Sequence, residues 1–124
     1  MTRILILIGE NMPKEEKDQL DEINEQVIQL GELVQYQPGA VVSRTLVDKE
    51  TVTLTLFAFD EGQNLSEHTS PHDALLQVLE GISKVKIGSE EYELQSGESI
   101  VMPANKPHAV EASERFKMFL TMIR

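Results

Sequence analysis

No cysteine occurs in this chain of 124 residues. That absence excludes disulfides, thiolate zinc sites, iron–sulfur clusters and cysteine nucleophiles together. Basic residues are also scarce, 11 against 21 acidic ones, for a net charge of −10. An acid excess of this size repels phosphate backbones and anionic lipid surfaces, so neither nucleic acid nor membrane is an expected partner. Long apolar runs are missing as well. The longest covers residues 4–8, far below the roughly 20 residues of a spanning helix. It is also short for a secretory leader and has no small-residue cleavage site. A cytoplasmic protein is expected. What remains is globular composition, 40% hydrophobic and 26% charged, in a chain long enough for one domain with its own core.

Two regions differ in pattern. Residues 13–26 are rich in charge, and Leu20, Ile23, Val27 and Leu30 follow at 3-4-3 spacing. This spacing predicts a helix over about 13–25, with Asn11 as cap, Pro13 in the first turn and Gly31 as a stop; residues 26–30 can instead enter the first strand. The sequence therefore divides into an N-terminal extension, 1–30, and a β domain, 31–124.

Beyond residue 40 the period becomes two. Residues 51–59 alternate cleanly and are rich in β-formers. Further strand-like runs are 41–47, 74–79, 82–87, 92–94, 99–102, 108–112 and 116–123. Pro38-Gly39, Glu61-Gly62, Gly88-Ser89, Ser96-Gly97, Pro103 and Pro107 separate them as turns. Short strands with frequent turns indicate an all-β sandwich or barrel. No crossover helix fits between them, so the sheets are expected to be antiparallel.

The chain has three histidines, His68, His72 and His108. All lie at strand ends or in loops. Without thiols, any transition-metal site here depends on imidazole. The three rings can converge only if the sheet closes on itself.

Residues 62–81 run from Gly62 through His68, Ser70, His72 and Ala74 to Gly81. They resemble the first cupin motif, G-x5-H-x-H-x3/4-E-x6-G. Residues 97–108 run from Gly97 through Pro103, Asn105 and Pro107 to His108, and resemble the second, G-x5-P-x-G-x2-H. The resemblance covers about residues 40–123. It implies an antiparallel double-stranded β-helix, or jelly-roll barrel, to which the spacing of residues 13–30 adds a short N-terminal helical extension. It also implies four metal ligands inside the barrel, three histidines and a glutamate. Carried onto this chain, His68 takes the place of the first ligand and His108 of the last. Ser70 stands where the second histidine belongs, and Ala74 where the glutamate belongs. Asn105 replaces the second motif's inner glycine, and Ala112 its final asparagine.

Half of the coordination sphere is thereby gone. An alanine cannot coordinate, a neutral hydroxyl coordinates poorly, and a transition-metal site normally needs three or more suitable ligands. His72 shares the strand parity of His68 and is the replacement candidate. Gln77 offers a carbonyl oxygen but has the opposite parity to Ala74. The expected pocket comprises His68, Ser70, His72, Gln77, Met102 and His108, with no cofactor or a weakly held divalent metal ion on His68 and His108. Met102, Met118 and Met122 read as core fillers. The expected function is a barrel that binds a small organic ligand without a competent metal centre. The alternatives are a metal-dependent dioxygenase, isomerase or decarboxylase, and a purely structural dimerisation domain. A homodimer is expected because the apolar residues of the extension need cover. Residues 4–8 would extend a sheet edge.

Overall fold

The structure, a computed structural model, describes the backbone of residues 3–7 and the whole of residues 19–124. The strands are β1 (Arg3–Leu7), β2 (Ala40–Asp48), β3 (Val52–Phe59), β4 (Asn64–His68) and β5 (Asp73–Glu80), followed by β6 (Ile82–Ile87), β7 (Glu90–Gln95), β8 (Ser99–Met102), β9 (His108–Ala112) and β10 (Phe116–Ile123). They form a six-stranded sheet, ordered β1-β2-β3-β10-β5-β8, and a four-stranded sheet, β4-β9-β6-β7. Apart from the pair β1–β2 every ladder is antiparallel. The two sheets face one another as a jelly-roll barrel.

Alternation places the core. On β5, Ala74, Leu76 and Val78 are buried, and so are Ser83, Val85 and Ile87 on β6. These strands meet Phe59, Phe116, Met118, Met102 and Val110 in one cluster between the sheets. Phe59 and Phe116 stack with centroids 4.5 Å apart. Each large buried side chain of this kind stabilises the fold by about 1.5–3 kcal/mol.

A second apolar cluster lies on the outer face of the six-stranded sheet. Val34 packs there on Val42, Leu46, Val47, Leu56 and Ala58, with Leu30, Leu33 and Tyr36 at its margin. Residues 28–36 thus cross the back of the sheet as a strap. Two sheet cations fasten it by its main chain: Lys117 Nζ donates to Gly31 O at 2.6 Å and Arg44 donates to Leu33 O at 3.0 Å. Tyr36 donates its hydroxyl to Glu80 at 2.7 Å. Burial, followed by the hydrogen bond to Glu80, raises the Tyr36 pKa well above the ordinary phenol value.

The structure corrects one expectation and adds to two others. Residues 13–18 of the expected helix lie outside the described residues. Over 19–25 only a single 3-10 turn forms, Leu20–Glu22. Gln19 donates its N–H to Leu46 O at 2.8 Å, which ties the chain to the edge of β2. Glu25 then adopts φ +57°, a left-handed conformation that cannot continue a helix. The apolar stripe accordingly does not pack as one face, and Val27 is fully exposed. Secondly, the strands beyond residue 40 pair antiparallel throughout, as expected, and β1, which precedes them, runs parallel to β2, with Arg3 opposite Ala40 and Leu7 opposite Arg44. Part of the apolar N-terminus therefore extends a sheet edge and belongs to the barrel's larger sheet. Finally, residues 64–68 form the strand β4, which periodicity alone does not reveal. Among the described residues no helix is long and apolar enough to cross a membrane.

Candidate functional site at the mouth of the barrel

His108 opens β9, and the alternation His108, Val110, Ala112 turns all three inward. His68 closes β4 directly opposite His108 in the antiparallel ladder. Reaching that position takes an irregularity. Leu65 pairs with Val110, so three residues of β4 stand against two of β9 before the histidines meet. In a regular strand the three-residue spacing would point His68 to the other side of the sheet from Leu65. The bulge turns its ring onto His108. The centroids lie 4.4 Å apart with an interplanar angle of 67°, an edge-to-face contact.

Both rings are locked in the same way. His68 Nδ1 lies 2.7 Å from Ser66 O, and His108 Nδ1 lies 3.1 Å from Lys106 O. A carbonyl only accepts, so each Nδ1 carries a hydrogen, and in the neutral ring Nε2 is the nitrogen that holds the lone pair. His68 sits at the exposed rim, whereas His108 is only 7% exposed. Burial lowers the His108 pKa below 6.5; the Lys106 carbonyl opposes this, and the neighbouring His68 adds to it. Imidazole at this position is therefore neutral at physiological pH.

The surrounding loops are joined by backbone. Asn105 donates its N–H to Ser70 O at 2.7 Å, and Ala104 donates to Asp73 Oδ1 at 2.8 Å. Asn105 holds φ +65°. That is the left-handed turn the second motif normally fills with glycine, and asparagine tolerates it better than other side chains. Ser70 Oγ accepts the His72 N–H at 3.2 Å, so the hydroxyl caps the turn between β4 and β5.

The expected pocket residues divide. His68, His108 and Met102 lie at the same end of the barrel, together with Ser70 in its loop. Met102 pairs with Ala74, and both are buried between the sheets. His72 sits half-buried in the bend that follows Ser70. Gln77 departs from the expectation. It pairs with Phe119 and Ser99 on the outer face of the sheet, because its neighbours Leu76 and Val78 point inward. Sequence reasoning passed over a row of hydroxyls on the inner side of β2 and β3. Ser43, Thr45 and Thr55 share that side with Phe57, and the Thr45 and Thr55 hydroxyls lie 3.4 Å apart. The alternation of residues 51–59 carried the signal, since Thr53, Thr55, Phe57 and Phe59 have one parity.

A four-ligand site of three histidines and a glutamate does not fit these residues. Among the described residues no three side chains of His, Asp or Glu come together as a metal-holding group. The methyl of Ala74 occupies the place of the carboxylate.

Residues 55–123 match the family model described as the cupin domain. A conserved protein of unknown function from Streptococcus pyogenes is similar in structure, with a TM-score of 0.79 and 37% identity over 82% of this chain and 89% of that one. A cupin 2 conserved barrel domain protein from Leptotrichia buccalis has a TM-score of 0.76 and 42% identity, over 78% of this chain and 47% of that one. A cupin superfamily protein from Desulfitobacterium hafniense follows at 0.78 and 27% identity, over 81% and 92%. No curated protein matches the chain.

Proposed function

The chain belongs to the cupin domain family, and from that premise we propose that it binds a small organic molecule in the mouth of its barrel. The observation that carries this reading is the pair of imidazole rings 4.4 Å apart, each with its Nδ1 engaged by a backbone carbonyl. Ring nitrogens in their unprotonated form, side by side, select a ligand that donates hydrogen bonds, such as a hydroxyl or an un-ionised acid. The hydroxyls of Thr45 and Thr55 supply polar partners on the facing sheet, and Phe57 supplies an apolar floor. His108, kept neutral by burial, is the natural base if the bound molecule loses a proton. A second reading has one observation in its favour: an imidazole whose Nδ1–H is held by a carbonyl is also in the ligating tautomer. On that reading His68 and His108 hold a divalent ion in a metal-dependent enzyme.

Elemental analysis of protein purified without a polyhistidine tag separates the two. Zinc, nickel, iron and manganese are expected below stoichiometry, because two ring nitrogens alone hold such ions weakly. A full equivalent surviving chelation and gel filtration would replace the first reading with the second. A thermal-shift screen of small hydroxylated and acidic compounds then tests binding, with His68→Ala/His108→Ala as the control that loses every hit. Hits that survive in this variant would place the ligand elsewhere. A homodimer is part of the proposal. Leu75 and Val101, paired across β5 and β8, are exposed on the outer face, as is Ile123. Light scattering on Leu75→Glu/Val101→Glu should report a shift toward monomer.

A further inference from the structure

A second concavity lies on the back of the six-stranded sheet, away from the barrel's interior. Where the strap passes the end of β5, residues 28–32 face Leu79 and Glu80 across a cavity of about 560 Å³. Small-molecule sites commonly have volumes of roughly 300–1,000 Å³. Both walls are held in place. The strap turns there as the 3-10 helix Leu30–Leu33, with the Glu32 N–H on Gln29 O at 3.0 Å. Lys117 and Arg44 fasten that turn to the sheet. The facing wall is β5, paired with β10 on one side and β8 on the other. The lining has two characters. Ile28, Leu30 and Leu79 are half-buried apolar side chains. The charged groups are Glu32 and Glu80, and no base stands among them. Glu80 is held ready for a partner. The Tyr36 hydroxyl fixes its Oε2 at 2.7 Å, while Oε1 faces the bare position at Gly31, where a Cβ would lie 3.6 Å away. Among the described residues no basic side chain forms an ion pair with Glu32 or Glu80. Lys117, opposite Glu80 in register, turns its ammonium to Gly31 O instead.

We propose that this cavity binds an aliphatic primary amine, with its ammonium on Glu80 Oε1 and its hydrocarbon chain along Ile28, Leu30 and Leu79. An ammonium has three donors and no acceptor, and a carboxylate only accepts, so the two match. The charge on both partners makes that hydrogen bond stronger than one from a neutral alcohol. The methylenes of the chain gain by leaving water for the apolar wall. Glu32 at the rim repels an acid of the same length. The net charge of −10 on the whole chain draws cations toward the protein as well. The site lies outside the barrel and does not depend on the reading of the two histidines.

The test is a titration of the full chain with pentylamine at low salt, followed through the methyl resonances of Ile28, Leu30 and Leu79. Saturable shifts of these methyls are expected, weakening as salt is added. The alcohol of the same chain length should bind about fivefold more weakly or worse. Glu80→Gln keeps an oxygen for the Tyr36 hydroxyl and removes the charge, so it should weaken pentylamine by about fivefold and leave the alcohol unchanged. Gly31→Leu fills the cavity from its floor. Gly31 has no left-handed conformation to strain, and a Cβ there meets only Glu80 Oε1 at 3.6 Å and Lys117 Cδ at 3.9 Å. That variant should unfold at the native temperature and lose the shifts. Amine and alcohol binding alike would overturn the site, as would shifts that never saturate. Affinity in Glu80→Gln within about twofold of the native value, less than the loss of one charged partner brings, would overturn it too. So would binding that survives in a folded Gly31→Leu.

Discussion

At one end of the barrel Phe59 and Phe116 stack at 4.5 Å. There Asp60 accepts three hydrogen bonds, from the N–H groups of Gly39 and Glu61 and from Arg115 at 2.9 Å. Those bonds hold its carboxyl pKa below 3.8, the Gly39 N–H contributing most. At the other end His68 and His108 stand edge to face, each with one nitrogen bonded and one free to accept. The Asp60 carboxylate is engaged within the protein, although Gln63 Oε1 and Ser83 Oγ near that end are buried without a partner, whereas at the mouth the two rings keep acceptor capacity beside solvent. The mouth differs in that its two rings stand together at an exposed rim, where a polar group can meet another molecule as readily as water.

The sharpest way to break this contrast is Gly81→Ala. Gly81 adopts φ +81°, and a Cβ there would lie 2.0 Å from Arg115 O. It would also meet Phe116 Cα, and both Arg115 O and Phe116 Cα belong to backbone and cannot swing aside. Strain and overpacking together should destabilise by about 3–5 kcal/mol, read by denaturant unfolding. A cost under about 1 kcal/mol would show that the closed end is not tightly determined. At the mouth, Asn105→Ala should cost about 1–2 kcal/mol for its left-handed backbone, and Asn105→Gly close to nothing. Equal costs for the two would indicate that the asparagine side chain, not the turn, matters. Ser83 refines the picture from inside. Its hydroxyl is fully buried without a partner, so Ser83→Ala should raise stability by about 1 kcal/mol. Destabilisation would instead reveal a bound water there.

The smallest effect expected is a pH dependence. The His108 pKa is lowered in the folded chain, so the unfolded chain binds that proton more readily. Stability is therefore fully present above the ordinary imidazole value near 6.5 and is lost as pH falls toward and through the lower folded value. His108→Gln should remove this component, and the stability curves of the two proteins should diverge only on the acid side. Parallel curves between pH 5 and 7 would show that His108 titrates as it does in water.

Most of the barrel was legible because inward-facing strand positions repeat with period two. The runs 82–87, 99–102, 108–112 and 116–123 coincide with observed strands. The failures share a cause. The 3-4-3 spacing of Leu20, Ile23, Val27 and Leu30 is a local signal, and a distant contact of Gln19 with Leu46 O overrides it. β4 was obscured because its bulge breaks alternation just where His68 must turn inward. At the mouth, His68, His108 and Met102 were readable from motif and parity. The hydrogen bonds that set the ring tautomers were not, because they end on carbonyls, which every residue has.

That same anonymity has a consequence for the strap across the back of the sheet. Lys117 and Arg44 grip Gly31 O and Leu33 O, so they recognise the path of the chain and not the identity of its residues. Outside Val34, which is buried, and Leu30, Leu33 and Tyr36, which pack at the cluster's margin, the strap is free to drift in composition while these two main-chain fastenings stay constant. The information that keeps it in place is written on the sheet beneath, some 80 positions away in the case of Gly31 and Lys117.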